Sequence, residues 1–231
     1  DIALDPLEGT TITAKGGANA LAVVAMTQKG GFLNAPDTYM DKIACGPGLP
    51  NGIIDLDEKP SVNLKNLAKA KKLDMADLVV CIMDRPRHEE LIAKVREAGA
   101  RIVLISDGDV SAVIATARAG TGIDMFMGIG GAPEGVLAAA ALRSIGGQMK
   151  GRLLFTEDAE RERAKRMGIE DFNRKYNLED MAKGDVMFAA TGVTNGSMLD
   201  GVRRFPGGAI THSIVMRSKT GTVREVKAEH N

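Results

Sequence analysis

The stretch that decides the fold is residues 77–83, "DLVVCIM". A short apolar run rich in β-branched residues reads as a buried strand. Directly after it, "RHEELIAKVREAG" (87–99) reads as an amphipathic helix ended by Gly99. The alternation then repeats. "RIVLIS" (101–106) is a second strand, and "DVSAVIATARAG" (109–120) a helix ended by Gly120. "IDMFMG" (123–128) is a third strand, and "APEGVLAAAALRSIGG" (132–147) a third helix. A βαβαβα series of this kind predicts an α/β class with a parallel sheet and right-handed crossovers.

Outward from this series the pattern is looser. "NLKNLAKAKKL" (63–73) puts Leu64, Leu67, Ala68 and Leu73 near helical spacing. Residues 41–60 are rich in Gly, Pro and Asp and are expected to be irregular. "GANALAVVAMT" (17–27) with "GFLNAP" (31–36) predicts a hairpin through Lys29, Gly30 and Gly31. Residues 156–184 are strongly charged and predict a solvated helical pair. "DVMFAAT" (185–191) is a strand, and residues 211–230 form a hairpin around Lys219 to Gly221. The expected division is 1–76, 77–155 and 156–231: an N-terminal α+β part, an α/β substrate-binding part, and charged helices with a closing β-hairpin.

Composition narrows the function. Lys plus Arg and Asp plus Glu both number 30, so the formal net charge is zero. A sequence-independent nucleic-acid or membrane-surface binder is usually more basic, so an anionic ligand must be met by a local cluster. Apolar residues make up 44% and aromatics 3%, which implies a core of Ala, Val, Ile, Leu and Met. Cys45 and Cys81 lie in core-like segments, which fits a reduced, cytoplasmic setting. No signal peptide is visible, and no apolar run reaches the length of a membrane span. The chain begins on "DIALDP", inside a pattern, and is expected to be a processed or cut piece of a longer protein.

In open α/β sheets, ligands bind beyond the carboxyl ends of strands. Three such ends carry unusual loops here: "DRPRH" (84–88), "SDGDV" (106–110) and "GIGGAPEG" (128–135). Arg85 and Arg87 flank Pro86, and guanidinium groups bind phosphate bidentately. Asp107 and Asp109 flank Gly108, a pair suited to sugar hydroxyls or a cation. Glu134 lies in the first turn of a helix, after Gly131 and Pro133. Each has a plain structural alternative: a solvated arginine pair, a tight turn, a dipole-favoured acid. Three at adjacent strand ends make coincidence a weaker account. "DPLEGT" (5–10) adds a fourth cluster. Asp5 and Glu8, on a proline-stiffened turn, can point at a common hard cation. Thr10 follows Gly9, and its hydroxyl can orient a water.

"DPLEGT" resembles the metal signature of the lithium-sensitive sugar and inositol phosphatases, whose usual form has Asp where Glu8 stands. With "DRPRHEELI", "LISDGDV", "GIGGAPEG" and "ATGVT" (190–194), the whole chain resembles class II fructose-1,6-bisphosphatase, which in many bacteria also takes sedoheptulose 1,7-bisphosphate. The resemblance implies an αβαβα sandwich, with the N-terminal part of the first domain missing from this chain. It implies dependence on Mg²⁺ or Mn²⁺, and gluconeogenesis or the Calvin cycle as the setting. Asp5, Glu8 and Glu134 would be metal ligands. Thr10 would orient the attacking water, with Asp5 and Glu8 beside it in the catalytic group. Glu8, Gly9, Thr10, Tyr39, Arg85, Pro86, Arg87, Asp107, Gly108, Asp109 and Gly131 would meet the sugar bisphosphate. Without the resemblance, Tyr39 reads equally as a half-buried core residue. The implied partners are a sugar bisphosphate and further copies of the chain in a dimer or tetramer, with no nucleic acid and no membrane. Family members carry a further segment before this motif, with an Asp and a Glu for the first metal and a Lys near the site. Two other readings stay open: another phosphatase of the superfamily, such as an inositol phosphatase, and a non-catalytic sugar-phosphate sensor. A Rossmann dehydrogenase is weaker, because "GIGGAPEG" follows the third strand and lacks the GxGxxG spacing.

Overall fold

In the computed structural model, which describes residues 1–231, the central series forms in the expected order. β4 (Val79–Met83), α3 (Glu89–Glu97), β5 (Arg101–Ile105), α4 (Asp109–Ala115), β6 (Met125–Gly131) and α5 (Ala132–Ile145) follow one another. β4 pairs parallel with both β5 and β6. The sheet is mixed rather than wholly parallel, however. β3 (Tyr39–Cys45) lies antiparallel between β6 and β7 (Gln148–Leu154), and β8 (Lys175–Asn177) completes the order β5-β4-β6-β3-β7-β8.

β3 overturns the expectation of irregular chain over 41–60: residues 41–45 are the middle of a sheet. Met40 and Ala44 enter one core and Ile43 and Cys45 the other, so the strand is buried on both faces. Asp41 and Lys42 interrupt its apolar run and hide it from a reading by pattern.

A second, antiparallel sheet runs β1 (Ile2–Glu8), β2 (Leu21–Met26), β9 (Met187–Gly192), β11 (Gly208–Arg217) and β10 (Arg203–Phe205), with β12 (Thr222–His230) also on β11. The hairpin expected between 17–27 and 31–36 does not form. Both edges of β2 are taken, by β1 and β9, and Phe32 makes only an isolated bridge to Ala182. The hairpin of β11 and β12 forms as read. The charged segment also differs from expectation. It holds α6 (Asp158–Arg166), then β8, then the single turn of α7 (Leu178–Met181). Ala164, Ile169, Tyr176 and Met181 anchor it in the main core. The anchors are widely spaced among charges, which conceals them from a periodicity test.

α5 packs against β1, β2, β9 and β11 on one side and β3, β6 and β7 on the other. Ten of its 14 residues are buried, five of them alanines. A helix between two sheets must be apolar all round, and small side chains let both sheets approach. α2 (Pro60–Lys71) and α3 cover the far face of the mixed sheet, where Leu64, Leu67, Ile92 and Val95 meet Val80 and Ile82. The far face of the antiparallel sheet exposes Ile2, Leu4, Met26, Met187 and Val215. The result is a layered sandwich of sheet, helix, sheet, helix. Residues 1–76 contribute strands to both sheets.

Candidate active site

β1 is an edge strand, which is where a proline is tolerated. Its register slips between Asp5 and Glu8, a bulge around Pro6. The Leu7 N–H donates to Asp5 Oδ1 at 2.9 Å and stiffens the bend. Residues three apart in a regular strand face opposite ways; the bulge brings Asp5 and Glu8 to one cavity. Gly9 follows at φ 88°. A side chain there would be strained and would press on Ile12. This turn opens α1 (Thr10–Ala14), with Thr10 exposed at its start.

Glu8 is buried, at 3% exposure. Its Oε1 accepts the Val110 N–H at 3.2 Å, so it caps the first turn of α4 from 102 residues away. Its Oε2 is buried with no partner. Burial foremost, then the charges of Asp109, Asp107 and Asp5, push its pKa up to about 8 against the Val110 hydrogen bond. Glu134, in the first turn of α5, also titrates above the usual range, chiefly through burial and then through Asp109 and Asp5. Asp107 and Asp109 stand at the end of β5 with Gly108 between them at φ 89°, a second left-handed turn into a helix. Gly130 and Gly131 close β6, and a Cβ on Gly131 would strike the Glu134 carboxylate.

Arg85 and Arg87 form the rim. Arg87 donates from Nε and a terminal nitrogen to the Ile129 carbonyl, at 3.2 and 2.9 Å, and lies 4.9 Å over the Tyr39 ring. Tyr39 is 45% exposed and faces the cavity, not the core. Arg85 has only a 3.4 Å contact to its neighbour's carbonyl and is free to meet a ligand.

All these side chains, Asp5, Glu8, Thr10, Tyr39, Arg85, Arg87, Asp107, Asp109 and Glu134, line one cavity of about 400 Å³ with Gly9 and Gly131. Pro86 shapes the rim from the first turn after β4, and Gly108 the turn after β5. A larger hollow of about 610 Å³ beside Ile2 and Phe32 is mainly apolar; charge, not size, distinguishes the site. No three carboxylates stand close enough, as placed, to chelate one ion. Asp5, Glu8 and Glu134 share the cavity instead of a point. The orphaned, buried Glu8 Oε2 and the excess of negative charge suit a hard cation.

Two residues escaped the sequence reading. Lys42, in the middle of β3, is 1% exposed, pairs with Asp109 and donates to the Gly131 carbonyl at 2.9 Å. His88 is buried with its Nδ1 2.7 Å from the Met83 carbonyl, while Nε2 accepts the Ile129 N–H at 2.8 Å. It staples the arginine loop to the end of β6, and burial holds its pKa below the usual histidine value. The signal for Lys42 was a lysine in the same alternating row as Met40 and Ala44, in a segment read as loop.

A family model described as "Bacterial fructose-1,6-bisphosphatase, glpX-encoded" matches residues 1–230. A protein of Trichodesmium erythraeum called D-fructose 1,6-bisphosphatase class 2/sedoheptulose 1,7-bisphosphatase is 46% identical over 243 residues, covering 100% of this chain and 70% of its own length. A protein of Synechocystis with the same name is 45% identical over 243 residues, with the same coverage. With the match running through all four loops of the site, the chain belongs to the glpX-type family of bacterial fructose-1,6-bisphosphatases.

Proposed function

We propose that this chain hydrolyses the 1-phosphate of fructose 1,6-bisphosphate, takes sedoheptulose 1,7-bisphosphate as a further substrate, and uses Mg²⁺ or Mn²⁺. The observation that carries this is the pairing, in one cavity, of five carboxylates with a rim of two arginines. Asp5, Glu8 and Glu134 would hold the cation. Phosphate-monoester hydrolysis needs acceleration up to about 10²¹-fold. When bound, the cation supplies charge stabilisation for the phosphoryl oxygens and acidifies water.

The chain's own residues do the rest. Arg85 and Arg87 grip the phosphate that is not cleaved, and that remote binding energy places the reacting one. The Ile129 carbonyl and the Tyr39 ring fix the plane of the Arg87 guanidinium. Asp107 and Asp109 accept hydrogen bonds from sugar hydroxyls, and the bare backbone at Gly9 and Gly131 lets the ligand come close. Thr10, exposed at the mouth of the Gly9 turn, orients the attacking water. The arginine pair favours a bisphosphate over a monophosphate such as an inositol phosphate. The bacterial family supports a cytoplasmic setting, and the exposed apolar face of the antiparallel sheet offers surface for a homo-oligomer.

The test, in full-length protein with the complete metal set, is phosphate release from fructose 1,6-bisphosphate with Mn²⁺ or Mg²⁺, compared for wild type, Thr10→Ala and Thr10→Ser. Thr10→Ala should lose kcat by about 10²-fold or more with KM nearly unchanged, because only a transition-state contact is lost. Thr10→Ser should keep much of the activity. A stable Thr10→Ala protein with normal kcat would remove Thr10 from the reaction.

A further inference from the structure

One of the five carboxylates around the cavity has a cation of its own. Lys42 Nζ ion-pairs with Asp109 Oδ2, and both side chains are almost fully buried. Asp5, Glu8, Asp107 and Glu134 take part in no ion pair. A buried ammonium carries a large desolvation penalty, and an apolar residue beside Met40 and Ala44 would pack without it.

The pair is also built into the backbone around it. A Cβ on Gly130 would lie 2.9 Å from Lys42 Nζ and overlap Asp109 Oδ2, so the end of β6 closes onto the pair only as glycine. Lys42 further holds the Gly131 carbonyl, one residue before α5 begins. The ammonium therefore ties the start of α4 to the start of the helix that carries Glu134.

We infer that Lys42 is a positioning residue that sorts the carboxylates of the site. It engages Asp109, keeping that side chain for the sugar and out of the metal set, and leaves Asp5, Glu8 and Glu134 to take the cation. The inference rests on the metal-dependent reading above. Its physical basis is direct. A carboxylate oxygen bonded to an ammonium has already spent its charge, and the ammonium repels a second cation from that side of the cavity.

The test is Mn²⁺ binding to the full-length protein that contains these residues, followed by the free-ion electron paramagnetic resonance signal. Wild type is compared with Lys42→Met, Asp109→Asn and the double variant. Lys42→Met should bind Mn²⁺ about tenfold more tightly or better, because a carboxylate is released and a repulsion removed. Its KM for the bisphosphate should rise about tenfold as Asp109 turns from sugar to cation. Asp109→Asn should weaken Mn²⁺ by about tenfold, since it bares the ammonium. The double variant should return to near wild-type affinity. A lysine that is merely structural would lower the melting midpoint and leave both constants alone in the folded protein; that outcome overturns the inference. So does a double variant that binds as weakly as Asp109→Asn, which would make Asp109 a metal ligand. The double variant holds neither buried charge, so this comparison stands even if Lys42→Met fails to fold. A wild-type chain that binds Mn²⁺, with variants that do not differ, sinks the role of Lys42 alone. A full-length wild type that neither binds Mn²⁺ nor cleaves the bisphosphate sinks the phosphatase reading and this inference together.

Discussion

Asp55 and Asp57 sit against the outer strands of the mixed sheet, within 2.5–3.3 Å of Lys150, Arg152 and Lys175. Asp5, Glu8, Asp107, Asp109 and Glu134 sit around the cavity with Lys42 as their single ion-pair partner. The first cluster is neutralised at every carboxylate. Partial burial raises the Asp55 pKa, but hydrogen bonds from Lys175, the Asp57 N–H and Lys150 outweigh it and bring it to about 2. The second cluster is left short of positive charge, and Glu8, raised first by burial and then by the neighbouring acids, reaches about 8. The two regions share a residue chemistry and differ in compensation. Where partners are supplied, acids hold the fold together; where they are withheld, acids wait for a ligand.

Glu8→Gln should have the largest effect. It should lower kcat/KM by about 10³-fold or more if Glu8 helps hold the cation. It should also change how stability depends on pH in cation-free protein. The folded state keeps the Glu8 proton up to about pH 8, while the unfolded chain releases it near 4.5. Stability should therefore fall as pH rises from 4.5 through 8, by roughly 3–5 kcal/mol in all. Glu8→Gln should flatten that slope and be the more stable protein at pH 8.5. Denaturant titrations in chelator at pH 5 and pH 8.5 measure it. An unchanged slope would mean that Glu8 is compensated after all.

The arginine rim sharpens the comparison next. Arg85→Ala should cost about 10²-fold in kcat/KM on fructose 1,6-bisphosphate and far less on a generic monophosphate, because charge-assisted contacts to the uncleaved phosphate are lost. Equal losses on both substrates would move Arg85 to the reacting phosphate.

The smallest effect belongs to the compensated cluster. Lys175→Ala should lower the melting midpoint only slightly, as for other solvent-screened ion pairs, and leave kcat unchanged. The stabilisation from Asp55 is present above pH 3.8 and is lost as pH falls through about 2, so the variant should differ from wild type least in strong acid. A thermal melt series from pH 2 to pH 7 reads both effects. A large loss of activity would show that this network supports the site.

Much of the site was legible because its signals are local. "DPLEGT" packs acid, proline, acid and glycine into six residues, and "DRPRH", "SDGDV" and "GIGGAPEG" each mark the end of one strand. Their gathering at one cavity follows once the strands are laid side by side. β3 was not legible, because Asp41 and Lys42 break the apolar run by which a doubly buried strand is recognised. The partners of β2 were missed for a different reason. A turn at Lys29 to Gly31 is a local signal, but pairing is decided by which strands compete for each edge, and β1 and β9 take both.

The amino-acid order alone was enough to place the βαβαβα series and the four loops that line the cavity. Periodicity, proline and glycine act within a few residues, and no distant contact is needed to express them. Only the packed layers set the ionisation of Glu8, which depends first on burial between them and is opposed by the hydrogen bond from Val110 across 102 residues. Tertiary structure alone decided that Lys42 meets Asp109 across 67 residues and passes over the other acids. The energy of a charge is set by its surroundings in space, and those exist only after the sheets have closed on α5.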